Sequence, residues 1–385
     1  MLSDVHSRVC LEVSLPTLRD NFRKIAAAVA PCAVIAVLKA NAYGLGVKSI
    51  ARALAGCGAA RFAVAELNEA LALVPLGRPV QILGSVLPAE IPEAVAAGII
   101  LPIVDLPTAR LISAEAVAQG RPAVCQFLVD TGMGRLGMLA AEAERSIHEV
   151  QRLPGLVCDG LYSHFPMAYR NACEYTEGQI AQFLGLLARL EAAGIVFAWR
   201  HIANSDAINN FPRTFQPPFN AVRTGINLHG SFDTEGRRAL DLRPVLALKT
   251  RLASVRWMPE GASIGYGCTY RLPRDMTVGV VAAGYADGLP LALSNRGYVL
   301  IRDRPCPVLG RVSMDYTTVS LEQVPEAQCG DEVVCLGGRG PHAITVEQWA
   351  QLKGTHPYEI ICSFGSRVRR CYIEDGIDPA PAGGQ

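Results

Sequence analysis

Short apolar runs rich in β-branched residues alternate with Ala-, Leu- and Glu-rich stretches from about residue 30 to about residue 228. The runs at 33–38, 61–65, 80–84, 99–103, 123–129, 160–163, 198–203 and 221–225 read as strands. Between them, 47–55, 66–74, 140–152 and 177–193 place apolar residues at i, i+3 and i+4, the pattern of helices with one buried face. Eight strand–helix units in about 200 residues predict an α/β fold, a (β/α)8 TIM barrel, in preference to an open doubly wound sheet. No GxGxxG follows the first strand, and no helical unit repeats at a fixed length. After about residue 240 the texture changes to strands separated by Gly, Pro and Asp turns, as in ALKTRLASVRWM, MTVGVVAAGYADGLP, GYVLIRDRPCPVLGRVSM and GDEVVCLGG, with one helical piece at 345–352. The expected organisation is a barrel over 12–238 and a β-strand-rich C-terminal domain over 239–385 that N-terminal residues 1–11 join, ending in a disordered DGIDPAPAGGQ tail.

Composition narrows the partners. Of 385 residues, 50% are hydrophobic and 18% charged, enough to build two cores. The balance of 36 basic against 35 acidic residues gives no field to attract nucleic acid or an anionic membrane, so the expected ligand is small. The apolar stretch at 25–38 is too short to span a bilayer and is interrupted by Pro31. MLSDVHSRVCLEVSLPTL lacks the layout of a secretory signal, so a cytoplasmic location is expected. The 12 cysteines form no CxxC pair; Cys32, Cys125, Cys158 and Cys362 lie in apolar runs and read as small buried hydrophobes in a reducing compartment, not as zinc or disulfide partners.

A barrel carries its chemistry just past the C-terminal ends of its strands. Of the five lysines, Lys39 alone ends a buried-looking run, AVIAVLKANAYGLG, where a partly desolvated amine becomes a nucleophile or base. Arg135 follows the fifth strand in DTGMGRLGM, and His164 follows the sixth in SHFPM. His201, Asn204 and Ser205 follow the seventh in HIANSDA, and Arg223 with Gly225 follow the eighth in VRTGINLHG. Taken singly, His164 also reads as a core histidine, Asn204-Ser205 as a helix cap and Arg223 as an ion-pair partner. Together they ring a site in which Ser205 and the Gly225-Ile226 backbone suit a phosphate. A lysine opposite a phosphate cradle points to pyridoxal 5'-phosphate (PLP).

The ordered set VLKANAYGLG, DTGMGRLG, SHF, ANS, VRTGINLHG, LKT, IGYGCTY, GYADGLP, GRVSMDY and YEI resembles the alanine racemase family of fold-type III PLP enzymes over nearly the whole chain. The resemblance implies a homodimer with shared sites. It implies Lys39 in Schiff-base linkage to PLP, Tyr43, Ser205, Gly225, Ile226 and Tyr358 at its phosphate, and Asn204 and Leu83 beside it. Arg223 would face the pyridine nitrogen with His164 linked to it. Tyr266 of the partner subunit would be the second base, with Met314 and Asp315 at the substrate, Met314 through its N–H. Arg135 would meet the cofactor's phenolate and the substrate carboxylate, and Tyr285, Arg311 and His201 would match the substrate passage.

The chemistry follows from these residue types. Two bases on opposite faces of an activated α-carbon can exchange its proton and invert it. Arginine opposite the ring nitrogen keeps its own proton, so the ring is a weaker electron sink, which disfavours transamination and decarboxylation. A hydrogen-bond chain through His164 to Arg223 would help a tyrosine act as a base. This chain departs from the family at several places. Leu128 stands where many members have a carbamylated lysine, so Arg135 needs another group, such as a bound chloride, a water or Asp315. Tyr169, Leu291 and His356 alter the substrate passage. The expected activity is interconversion of L- and D-alanine for peptidoglycan. A serine or broader amino-acid racemase is the main alternative, and a fold-type III decarboxylase or a non-enzymatic PLP carrier the distant ones.

Overall fold

The structure, a computed structural model, describes residues 8–374. The DGIDPAPAGGQ tail lies outside the described residues. Two compact units are present. One consists of Phe22–Leu228 with Glu235–Asp241; the other of the described parts of Met1–Asn21 and Leu242–Gln385, with His229–Thr234.

Strand β1 (Cys10–Ser14) belongs to the second unit, and the first holds the strands that follow it. These are β2 (Ala33–Val37), β3 (Arg61–Val64), β4 (Val80–Ile82), β5 (Leu101–Ile103), β6 (Ala123–Asp130), the two-residue β7 (Met138–Leu139), β8 (Leu156–Tyr162), β9 (Trp199–His201) and β10 (Ala221–Thr224). All pair in parallel, in the orders β10-β2-β3-β4 and β5-β6-β8-β9, with β7 beside β6. The two runs close into a barrel. Ile100 N–H donates to Val80 at 2.9 Å and its carbonyl accepts from Ile82 at 3.0 Å, while Arg223 N–H donates to the Ala203 carbonyl at 3.0 Å. Parallel strands covered on both faces require continuous apolar runs, and Ile35, Ala36, Phe62, Val64 and Phe127 have no exposed surface. Helices Val47–Ala55, Leu67–Leu73, Ala140–Val150 and Glu174–Ala192 lie close to their expected positions. The helix Leu106–Ala118, its N-terminus capped by Asp105 accepting from Thr108 N–H at 2.7 Å, was not anticipated.

The second unit is built on β11 (Leu246–Met258), flanked by β1 and by β18 (Glu332–Leu336). The remaining strands are β12 (Ser263–Ile264), β13 (Tyr270–Arg271), β14 (Met276–Val281), β15 (Tyr298–Ile301), β16 (Arg304–Pro307), β17 (Thr317–Ser320) and β19 (Arg369–Ile373). Its one clear sequence-level helix, Val346–Lys353, starts with a Thr345/Gln348 capping box and stops at Gly354 in the left-handed region. β1 runs antiparallel to β11 and parallel to β19, placing Glu12 opposite Cys371. Cys10 and Cys371 form a disulfide, which corrects the reading of the cysteines as uniformly unpaired. They lie 361 residues apart, so only the pairing of the two terminal strands could have brought them together. Cys32 and Cys125 are buried, whereas Cys158 is half-buried and Cys362, at the end of helix Pro357–Cys362, is exposed. Among the described residues no helix is long and apolar enough to cross a membrane.

Two fully buried histidines couple folding to pH. Burial, followed by the charges of Arg223 and Arg61, holds His201 well below its ordinary value, and burial pushes His229 down to about 3. Unfolding lets both take up protons near the ordinary value of about 6.5, so their contribution to stability is constant above that pH and is lost as pH drops towards 3. We expect each to contribute up to about 1.4 kcal/mol per pH unit in that window, seen as a lower urea midpoint at pH 5 than at pH 7.5. Equal midpoints would contradict the assignment.

Candidate active site

β2 stops at Val37, and the buried Leu38 leads into the turn Lys39–Tyr43. Ala40, Asn41, Ala42 and Tyr43 all adopt left-handed φ values of 53–55°. For residues other than glycine this costs about 1–2 kcal/mol each, so the turn must be held from outside. Glu69 does part of this: its carboxylate accepts from Asn41 N–H at 3.3 Å and from Ala65 N–H, just past β3, at 2.9 Å. Asn41 in turn accepts from Val47 N–H at 2.8 Å. The turn carries Lys39 out of the wall, and its side of the chain is exposed where the sequence suggested partial desolvation. The same turn sends Tyr43 back into the barrel, where it is buried.

Tyr43 packs against Gly225 so closely that a Cβ at that glycine would lie 2.1 Å from the phenol oxygen. Ser205 Oγ accepts from Gly225 N–H at 3.1 Å, and Ile226 is fully buried beside it. Ser205 opens the helix Ser205–Asn210, and the Asn204 side chain caps it by accepting from Ala207 N–H at 2.9 Å. Asn204 therefore fulfils the cap role that its position also allowed. Two hydroxyls and the backbone of a bare glycine thus lie together beside the start of a helix, groups of the kind that bind a phosphate.

Arg223 lies inside the barrel, 4% exposed, with its guanidinium pinned on several sides. It donates to the Ser163 carbonyl at 2.6 Å and to His201 Nδ1 at 2.7 Å, and lies 3.4 Å from His164 Nδ1. Burial pulls Arg223 down to about 10, still far above neutrality. Burial, then the charges of Arg223, Arg135 and Lys39, push the half-buried His164 down to about 3, so it is neutral. Gln179 holds the His164 carbonyl at 3.2 Å. His201 was expected along the substrate passage; it is instead fully buried in the barrel interior, stacked on Tyr162 at 5.2 Å. β9 ends at this residue, and its side chain points inward.

Arg135 is exposed on a loop that Asp130 braces by accepting from Gly132, Met133 and Gly134 N–H groups. Burial raises Asp130, but these backbone donors outweigh it and hold the carboxyl below its usual range. Leu128 packs with Val104, Tyr162 and the half-buried Leu83, an apolar cluster where a carbamylated lysine would need polar partners.

The other expected residues lie in the second unit. Tyr266 starts a short turn between β12 and β13, follows Gly265 at φ 69°, and is 74% exposed. Met314 is exposed as well. Asp315 is bound to Arg367 through one carboxylate oxygen at 2.7 Å. Arg367 also grips the buried Asp287 with two nitrogens, at 2.8 and 2.9 Å, and so ties the GYADG turn carrying Tyr285 to the VSMD loop. Arg311 is exposed, and Tyr358 is half-buried on helix Pro357–Cys362. Leu291 and His356 are exposed, and Tyr169 half-buried.

Sequence reasoning missed Arg367, Glu69 and a set of polar residues within the barrel strands: Arg61, Gln81, Gln126 and Asp159. Their signal was available. Each of the four strand residues interrupts an apolar run, RFAV, VQI, AVCQFLV or LVCDGLY, at a position where a buried polar side chain needs partners.

A barrel with an amine and an anion cradle at its strand ends, followed by a β unit presenting an exposed tyrosine, defines a class of cofactor-dependent amino-acid enzymes. Residues 13–232 match the alanine racemase N-terminal domain and residues 245–372 the alanine racemase C-terminal domain. The chain is 39% identical over 368 residues to the alanine racemase of Desulforamulus reducens, covering 94% of this chain and 98% of that one. It superposes on the alanine racemase of Clostridium difficile 630 with a TM-score of 0.91 at 30% identity, covering 97% of both chains. It also superposes on a Bartonella henselae alanine racemase with covalently bound pyridoxal phosphate, with a TM-score of 0.85 at 28% identity, covering 96% of this chain and 100% of that one. The chain belongs to the alanine racemase family.

Proposed function

We propose that this protein uses pyridoxal 5'-phosphate to interconvert L- and D-alanine by two-base proton transfer, working as a cytoplasmic homodimer that supplies D-alanine for peptidoglycan. The observation that carries this is Arg223, buried and held in place by Ser163 and His201 through its two terminal nitrogens, with neutral His164 beside it. When bound, PLP draws electrons from the α-carbon of an attached amino acid and acidifies its proton. Tyr43, Ser205, Gly225 and Ile226 would hold the phosphate, joined by Tyr358, with Asn204 fixing the helix behind Ser205 and Leu83 forming a wall. Lys39 would hold the cofactor covalently and move the proton on one face; Tyr266 of the partner subunit would move it on the other. Arg223 would donate a hydrogen bond to the ring nitrogen without giving up its proton, which would keep electron withdrawal modest and limit side reactions. Arg135 and the Met314 N–H would receive the substrate carboxylate, with Asp315, gripped by Arg367, fixing the loop.

A second reading, a racemase acting on serine or a broader set of small amino acids, is favoured by the passage residues. Leu291 exposes an apolar side chain where the family commonly has arginine.

The sharing of sites is tested by mixing two inactive chains, Lys39→Ala and Tyr266→Phe, under conditions that exchange subunits. Half the dimers become mixed and each carries one intact site, so about one quarter of wild-type activity is expected. No recovery with mixed dimers demonstrated by mass would rule out sharing.

A further inference from the structure

A continuous polar chain crosses the barrel interior below Arg223. Arg61, 5% exposed, pairs with Asp159 at 2.7 Å and lies over the Trp199 ring, its central carbon 3.8 Å from the ring centre. Asp159 accepts from Gln126 Nε2 at 2.9 Å. Gln126 Oε1 faces His201 Nε2 at 2.9 Å and accepts from Gln81 Nε2 at 2.8 Å. His201 Nδ1 faces Arg223 at 2.7 Å. Gln81, Gln126 and His201 have no exposed surface.

Each step has only one allowed polarity. A guanidinium has donors alone, so His201 Nδ1 must offer a lone pair to Arg223. The neutral imidazole then carries its proton on Nε2, which requires an acceptor. Gln126 supplies it, because its amide nitrogen is committed to Asp159, itself held as an acceptor by Arg61. Were Gln126 reversed, its NH2 would face the imidazole N–H and its oxygen would face a carboxylate; both contacts would become repulsive, and Gln81 alone could adapt by turning its own amide.

We propose that Gln126 is a positioning residue that locks His201 in the Nε2–H tautomer and thereby fixes the guanidinium of Arg223 where the cofactor's ring nitrogen requires it. The proposal rests on the assignment of Arg223 to that nitrogen, but the lock itself does not. With the other tautomer, an N–H would point at the guanidinium and push it from its place.

The test uses the PLP-loaded dimer labelled with 15N-histidine, with the His201 signals identified by their loss in His201→Asn. The wild type should show His201 protonated at Nε2 alone. In Gln126→Leu, of similar volume, the tautomers should mix; in Gln126→Glu, a carboxylate at Nε2 should raise the imidazolium population. Gln126→Leu should lower kcat for alanine about five- to tenfold, the effect of one hydrogen bond, with little change in KM, and should shift the pH dependence of the cofactor's visible absorption. A wild-type His201 protonated at Nδ1, or a tautomer unchanged in both variants, overturns the lock, and the wild-type spectrum decides this even if a variant fails to fold. A tautomer that mixes while kcat and the visible spectrum stay unchanged overturns the positioning of Arg223. Intact tautomer behaviour in a protein with no racemase activity leaves the lock standing and removes the functional assignment instead.

Discussion

Lys39→Ala protein should bind PLP without fixing it: after borohydride treatment and denaturation no cofactor should remain on the chain, whereas the wild type should retain it. Racemisation should fall by about 10³-fold or more in both directions, because the substitution removes both the covalent attachment and one of two bases. The fold should survive. Lys39 is exposed, and the left-handed turn after it is held by Glu69, Asn41 and backbone bonds from Ala42 and Gly44, none of which uses the lysine side chain. A variant that keeps borohydride-fixed PLP would place the attachment on another lysine. Lys24 is bound to Asp241, and Lys249 to Glu12 and Glu332.

Tyr266→Phe should show a directional defect. At steady state the two directions of racemisation must slow together, since the overall equilibrium is fixed by the substrates. The asymmetry appears only in α-proton exchange. With Lys39 intact, D-alanine should still exchange its α-proton with solvent and retain its configuration, while exchange from L-alanine should fall by about 10²–10⁴-fold, the usual contribution of a positioned base. Removing one hydroxyl from a side chain that is 74% exposed in the single chain should leave folding intact. Equal losses from both enantiomers would show that Tyr266 is not the base of one face.

These roles were legible to different degrees. Lys39 could be found because it ends an apolar run in a chain with few lysines, and the eight strands because parallel strands buried on both faces demand continuous apolar sequence. Attention to strand ends, however, passed over the strand interiors. Gln126 and Asp159 look like isolated polar interruptions until the closed barrel places Asp159 within hydrogen-bond distance of both Gln126 and Arg61. His201 was legible as a polar residue at a strand end but not as an interior one, because a one-residue change of register along β9 decides whether its ring points into the barrel or away from it. Exposure of Lys39 was misjudged for a related reason: the left-handed turn that lifts it out of the wall is made by Ala, Asn, Ala and Tyr, none of which announces positive φ as glycine would. The β1–β19 pairing and its disulfide join the two ends of the chain, and local sequence carries no signal for such a contact.

The central claim is that two bases serve opposite faces of the same α-carbon. It is tested most directly by incubating the PLP-loaded protein with L-alanine, and separately with L-serine, in deuterated water while following α-deuterium and the D-enantiomer together. The account predicts D-alanine carrying α-deuterium, formed faster than D-serine. Deuterium entering L-alanine with no D-enantiomer formed would mean that one base works alone and would contradict it.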